Sequence, residues 1–210
     1  TAGIDRGLAA DERAVARAAE RLPDRVATLS RSGTVLAALA EASPEFVLVA
    51  ESRPGREGVD AAERIEAETD AAVAVGGDAA FGELLAAREV DALLVGADAV
   101  LPDGRVLNKV GTRGAATVAA REGVDCLVVA ASDKVLPARE RDGDQPRIDR
   151  EERDPSEIYD GGADVGVANP TFELTPADVV DTVVTEDRVL DADAVGEIAK
   201  RHRERASWDE

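Results

Sequence analysis

The sequence is short of the residues that most often carry chemistry. Its 210 residues include one Cys, one His and no Met, and its aromatics are one Trp, one Tyr and three Phe. The single Cys126 excludes an internal disulfide, and one His with one Cys cannot assemble a His/Cys zinc cluster. A chain without disulfides fits a reducing cytoplasm. No apolar run reaches the length of a membrane-spanning helix, and no basic-then-apolar leader opens the chain. The chain therefore reads as soluble, with no membrane partner. Lysine is also scarce: Lys109, Lys134 and Lys200 are all there are. The sequence has no G-x-x-x-x-G-K-[ST], no G-x-G-x-x-G and no H-E-x-x-H, which removes the main support for P-loop, dinucleotide and zincin readings. No cofactor and no metal are expected.

What is plentiful is negative charge. Forty-four Asp and Glu stand against 25 Lys and Arg, a formal net charge of -19. A phosphate backbone is repelled by such a surface, so direct nucleic-acid binding is disfavoured. Acidic, lysine-poor composition of this kind resembles that of proteins kept soluble in concentrated salt by hydrated carboxylates. Most Asp and Glu are then background, and a functional reading of any one of them has to come from its local context.

At this length, with 44% hydrophobic residues, one domain with a sizeable core is the default. Short Val- and Leu-rich runs at about 26–29, 46–50, 71–75, 92–96, 126–131 and 182–185 read as strands buried on both faces. Between them, Ala-, Leu-, Glu- and Arg-rich stretches at about 11–21, 34–42, 59–68, 79–88, 112–122 and 191–205 carry apolar residues at helical spacing. This alternation predicts an α/β, mostly parallel, doubly wound sheet of about six or seven strands. Residues 1–24 read as a helical remnant of a preceding domain or linker, and residues 25–210 as the sheet domain. The charged, Gly- and Pro-containing stretch 137–162 reads as a surface excursion.

Ligands in such sheets sit beyond the carboxyl ends of the strands. The residues found there are polar and Gly-containing: Ser30 to Thr34, Glu51 to Gly58, Gly96-Ala97-Asp98 and Ser132-Asp133-Lys134, with Asn108 to Thr112 just before a helix. This is the layout of a sugar-phosphate or nucleotide pocket. Ser32, Gly33 and Thr34 open a helix, where they either form an ordinary N-cap or present backbone N–H groups to a phosphate. Lys109 and Lys134, two of three lysines, lie beside Asn, Gly and Ser, as surface charges or as point cations for a phosphate. Asp98 follows a buried strand, where desolvation and nearby cations suit acid–base work, or else it caps a turn. Arg53 and Arg56, spaced by Pro54 and Gly55, clamp an anion or pair with Glu51 and Glu57. His202 reads as a surface residue of a charged helix, and Cys126 as a buried, inert thiol.

Taken in order, Ser30-Arg31-Ser32, Glu51-Ser52-Arg53-Pro54 with Glu57-Gly58, Gly96-Ala97-Asp98, Asn108-Lys109-Val110-Gly111-Thr112, Lys134, Glu152 to Glu157 and Asn169 to Pro176 resemble one family. It unites the alpha, beta and delta regulatory subunits of the eukaryotic translation initiation guanine-nucleotide exchange factor with ribose-1,5-bisphosphate isomerase and methylthioribose-1-phosphate isomerase. The match runs from about Ala27 to the C-terminus. The resemblance implies a Rossmann-like domain that forms homodimers or family-type heteromers, preceded by a helical domain that supplies one phosphate contact. It implies that Asp98 stands where the isomerases place their acid, and that Asn108, Lys109, Ser32, Gly33, Thr34 and Lys134 stand where they bind the sugar phosphate.

One departure shapes the functional expectation. The isomerases carry a Cys in a Thr-x-Cys frame, whereas Thr28-Leu29 is followed here by Ser30. A thiol ionises near working pH and an alcohol does not without help, and no His is at hand to activate Ser30. The expectation is a regulatory or non-catalytic member whose pocket takes a phosphorylated sugar or nucleotide. The alternative is an aldose–ketose isomerase acting on ribose 1,5-bisphosphate or a related phosphorylated ribose, with Asp98 and Ser30 at its centre.

Overall fold

The computed structural model describes residues 2–51, 55–138 and 148–206. Helix α1 (Ala2–Ala19) leads into β1 (Arg25–Leu29), α2 (Gly33–Ala42), β2 (Phe46–Glu51), α3 (Glu57–Glu68), β3 (Ala72–Gly77), α4 (Phe81–Ala87) and β4 (Ala92–Gly96). Then come β5 (Ala99–Val100), β6 (Val106–Lys109), α5 (Thr112–Glu122), β7 (Asp125–Val129), β8 (Phe172–Thr175), β9 (Thr182–Val184), β10 (Val189–Leu190) and α6 (Ala192–Ala206). Seven strands form one sheet in the order β10-β9-β7-β4-β1-β2-β3. All its neighbours run parallel except β10, which pairs antiparallel with β9. The fold is the α/β doubly wound sheet expected from the alternation of runs.

The sheet is covered on both faces because successive side chains of a strand point to opposite sides. In β1, Val26 packs with α1, α2 and α3 through Ala14, Ala18, Leu36, Leu39, Ala61 and Ile65. Its neighbour Ala27 joins the other cluster, with Phe81 and Leu85 of α4, Ala116 and Ala119 of α5, and Val195 and Ile198 of α6. Full burial of one Leu or Val side chain contributes about 1.5–3 kcal/mol, so strands such as β4, buried at all five positions, fix the register of the whole sheet.

Strand order reverses between β1 and β4: the chain goes from β1 outward through β2 to β3, then returns to β4 and continues outward through β7 and β9. This seam is held by two register pairs, Val26 with Ala92 and Ala27 with Leu93. By contrast, β1–β2 and β4–β7 have five each. A second, small antiparallel sheet, β5-β6-β8, stands over the carboxyl end of β4.

Several expectations need correction. The run at 71–75 is not buried on both faces: β3 is the edge strand, every residue is at least partly exposed, and Val75 is 47% exposed. The first helix begins at Ala2 rather than near position 11, and α3 begins at Glu57 rather than near 59. His202 is half-buried, with Nδ1 2.8 Å from the Val135 carbonyl oxygen, rather than a free surface residue. Among the described residues no helix is long and apolar enough to cross a membrane.

Candidate functional site

The ends of β1 and β4 face each other across the seam, and the chain turns sharply at both. Ser30, directly after β1, has φ 56°, a left-handed conformation that costs a non-Gly residue roughly 1–2 kcal/mol. Ser32 then caps α2, its hydroxyl oxygen accepting from the Val35 N–H at 3.4 Å. Gly96 closes β4 against this cap, where a Cβ would stand 2.7 Å from Ser32 Oγ. A side chain at this position would displace the Ser32 hydroxyl from its capping place.

Between them opens a cavity of about 390 Å³. It is lined by Ser30 to Thr34 from the β1–α2 turn, by Gly96, Ala97 and Asp98 beyond β4, and by Lys134 beyond β7. Asn108 and Lys109 of β6, Phe172 of β8 and Glu57 of α3 complete it. The small sheet explains how Asn108 and Lys109 arrive: they lie on β6, opposite Glu173 and Phe172 of β8, rather than in a loop before α5. Glu173 Oε1 accepts from the N–H groups of Gly111 at 2.7 Å and Arg113 at 3.0 Å, which caps α5 and ties that helix to β8.

The cations are anchored. Lys134 Nζ donates to the Ala97 carbonyl at 2.7 Å, and Lys109 Nζ donates to Glu57 Oε1 at 2.8 Å. The Asn108 amide donates to Thr112 Oγ1 at 3.0 Å. Asp98 is exposed at the cavity mouth, its N–H donating to Leu107 O. The desolvation expected for it from the buried strand before it is therefore not found.

Glu57 is the member that sequence reasoning passed over. Its Oε2 accepts from Ser30 Oγ at 2.5 Å, and Arg153 Nη1 stands 3.9 Å from Oε1. Burial works to raise its ionisation point. The hydrogen bonds from Lys109 and Ser30 and the charges of Lys109 and Arg153 outweigh burial and hold the carboxyl below its usual range. It is thus an anion at neutral pH. Gly58 makes its position possible: a Cβ there would meet the Ala50 carbonyl oxygen at 2.5 Å, so a larger residue would push α3 away from the end of β2. Arg153 comes from the stretch expected as a surface excursion, where it also forks onto Glu157 at 2.7 and 3.2 Å.

The cavity thus gathers Ser30, Ser32, Gly33, Thr34, Asp98, Asn108, Lys109 and Lys134. Arg56 is exposed at the start of α3, also with φ 56°, and does not line the cavity. Arg53 lies outside the described residues. Within that set, no three His, Cys, Asp or Glu side chains are arranged to hold a metal ion.

Comparison with known proteins gives a consistent picture. The model of the Initiation factor 2 subunit family matches residues 3–191. A ribose 1,5-bisphosphate isomerase of Haloferax volcanii is 39% identical over 144 residues, covering 66% of this chain and 43% of that protein. A methylthioribose-1-phosphate isomerase of Azotobacter vinelandii is 33% identical over 172 residues, covering 80% of this chain and 48% of that protein. The chain therefore spans about half the length of the curated relatives it matches. A crystal structure of the translation initiation factor eIF-2B of Pyrococcus horikoshii OT3 superposes with a TM-score of 0.75 at 28% identity. That alignment covers 89% of this chain and 66% of the other.

Proposed function

The chain belongs to the Initiation factor 2 subunit family, and from that membership we propose that its polar cavity binds a phosphorylated ribose. The ligand is a sugar phosphate or the sugar-phosphate part of a nucleotide, and the protein holds it without converting it. The observation that carries the second half of this reading is the Ser30–Glu57 hydrogen bond. Ser30 donates a hydrogen bond to a carboxylate held below its usual range, too weak a base to take the proton of an alcohol, so it stays an alcohol where an isomerase of the kind resembled uses a thiol. Support for the first half comes from the charges on the wall. The N-terminus of α2 offers N–H groups without intrahelical partners. Lys134 adds the point charge that a phosphate needs, while the charge of Lys109 is paired with Glu57.

A second reading has its own support. Asp98 and Glu57 line the same cavity, so two carboxylates are within reach of one ligand without any thiol. On this reading the protein is an aldose–ketose isomerase of a phosphorylated ribose, with Asp98 as the acid.

The two readings separate in one experiment on the protein as its own gene encodes it, in concentrated potassium chloride. Ribose 1,5-bisphosphate is added, and the melting temperature and the phosphorus NMR spectrum are followed together. The holding role predicts a melting temperature that climbs with ligand by about RT ln(1 + [L]/Kd) in free energy, with no new resonance. Appearance of the ketose bisphosphate, abolished by Asp98→Asn, establishes the isomerase instead. Neither a stabilisation nor a product, with this sugar phosphate or with a nucleoside monophosphate, sinks the binding role altogether.

A further inference from the structure

We propose that Glu186 is a positioning residue for Lys134, holding the turn that carries this ammonium so that a phosphate in the cavity meets the charge already in place. This rests on the sugar-phosphate reading above and adds to it a residue, outside the cavity lining, through which affinity is set. Glu186 follows β9, at the start of the turn into β10. Its carboxylate grips Ser132 twice, Oε2 accepting from the Ser132 N–H at 2.8 Å and Oε1 from the Ser132 hydroxyl at 2.6 Å. Hydrogen bonds to a carboxylate are about twice as strong as neutral ones, and these two fix both the backbone and the side chain of Ser132. Ser132 in turn opens the single helical turn Ser132–Lys134, whose last residue is Lys134. That turn is closed by the Lys134 N–H donating to Ala131 O at 3.0 Å and the Val135 N–H donating to Ser132 O at 3.1 Å.

The clamp is itself braced. Across the β9–β10 turn the Thr185 N–H and hydroxyl both donate to the Arg188 carbonyl, at 3.0 and 2.8 Å, and Arg17 of α1 donates to the Glu186 carbonyl at 3.2 Å. Beyond Lys134, the Leu136 N–H donates to Val100 O at 2.8 Å, and His202 of α6 stands with Nδ1 2.8 Å from the Val135 carbonyl oxygen. A carbonyl only accepts, so Nδ1 is the donor. A lysine is a point charge on a long flexible stem, so where its root is held decides where the charge stands. Lys134 Nζ donates to the Ala97 carbonyl at 2.7 Å, and a shift of the turn breaks that contact and withdraws the charge from the cavity. The sign of the effect is what marks this role. Glu186 is an acidic residue near an anion site, and by charge alone its removal would leave phosphate binding as it is or strengthen it. Positioning predicts the reverse, because a supporting hydrogen bond that holds a binding group in place is lost with the carboxylate.

The test is calorimetric titration with ribose 5-phosphate, in concentrated potassium chloride, of native protein, of Lys134→Met, and of Glu186→Ala and Ser132→Ala, each alone and combined with Lys134→Met. Glu186→Ala is expected to weaken binding about fivefold, as for residues coupled through one hydrogen-bond network, and to have no further effect in the Lys134→Met background. Ser132→Ala removes one of the two bonds to the carboxylate and should show the same pattern at smaller size, which keeps the test decisive if Glu186→Ala does not fold. Unchanged or tighter binding by the single variants overturns the proposal. An equal loss in both backgrounds overturns it too, because the effect then does not pass through the lysine. If Lys134→Met binds as tightly as native protein, the proposal falls and the sugar-phosphate reading stands on the rest of the wall. If native protein binds no ribose 5-phosphate, both fall together.

Discussion

The thiol of Cys126 is fully buried in β7, and burial, aided by the carboxylate of Asp181, pushes it up to about 12. Asp181 Oδ2 also accepts from the Cys126 N–H at 2.7 Å, tying β7 to the segment before β9. At pH 8 such a thiol is ionised to only about one part in ten thousand, and the thiolate is the nucleophile. Iodoacetamide at pH 8 should therefore leave the folded protein unlabelled over a period in which the same protein in guanidinium chloride is labelled fully. Rapid labelling of the folded chain would contradict this environment. A buried Cys126 is legible from its place in an apolar run. The importance of Glu57 is not. Glu57 stands in the motif with Gly58, but in a chain with 44 acidic residues nothing local assigns it a role, and its partners lie 27 and 52 positions away. Asp98 shows the converse: an apolar frame in sequence implies a desolvated carboxylate, yet the chain leaves β4 before it and leaves it exposed at the cavity mouth.

Among the elements, those with a full-length apolar pattern were readable and those whose pairing is set by tertiary context were not. β1, β4 and α5 lie within a residue of where the periodicity puts them. The strands of the small sheet run to two to four residues. Asn108 and Lys109 give β6 no apolar alternation, so the sheet exists because β5 and β8 flank it rather than because of propensity. β3 carried a strand pattern and formed a strand, but sequence alone does not say which strand will be the edge. The link between β8 and α5 is the cap made by Glu173. Glu173→Ala removes the acceptor for the N–H groups of Gly111, the N-cap of α5, and of Arg113 in its first turn, and should cost about 1 kcal/mol. Urea unfolding monitored by circular dichroism measures this as a lower midpoint at unchanged slope. An unchanged midpoint means that the cap is dispensable.

For the molecule as a whole, a net charge of -19 on 210 residues sets up self-repulsion that opposes the compact state. The screening length falls from about 10 Å at 0.1 M salt to about 3 Å at 1 M, so added salt relieves that repulsion. Relief of about 2 kcal/mol would raise the melting temperature of a chain this size by roughly 4–8 °C. A melting curve in 0.1 M and in 1 M potassium chloride should show a rise of that order, and a flat response would show that the carboxylates are already balanced locally.

The two-pair junction between β1 and β4 has a mechanical meaning. Two groups of strands, β1 to β3 and β4 with those beyond it, meet along this short weld, and both hydrophobic clusters pack across it. The cavity straddles that weld, with Ser32 and Glu57 on one side and Asp98 and Lys134 on the other. On the binding role proposed above, a molecule gripped from both sides would act as a rivet and add to the rigidity of the sheet.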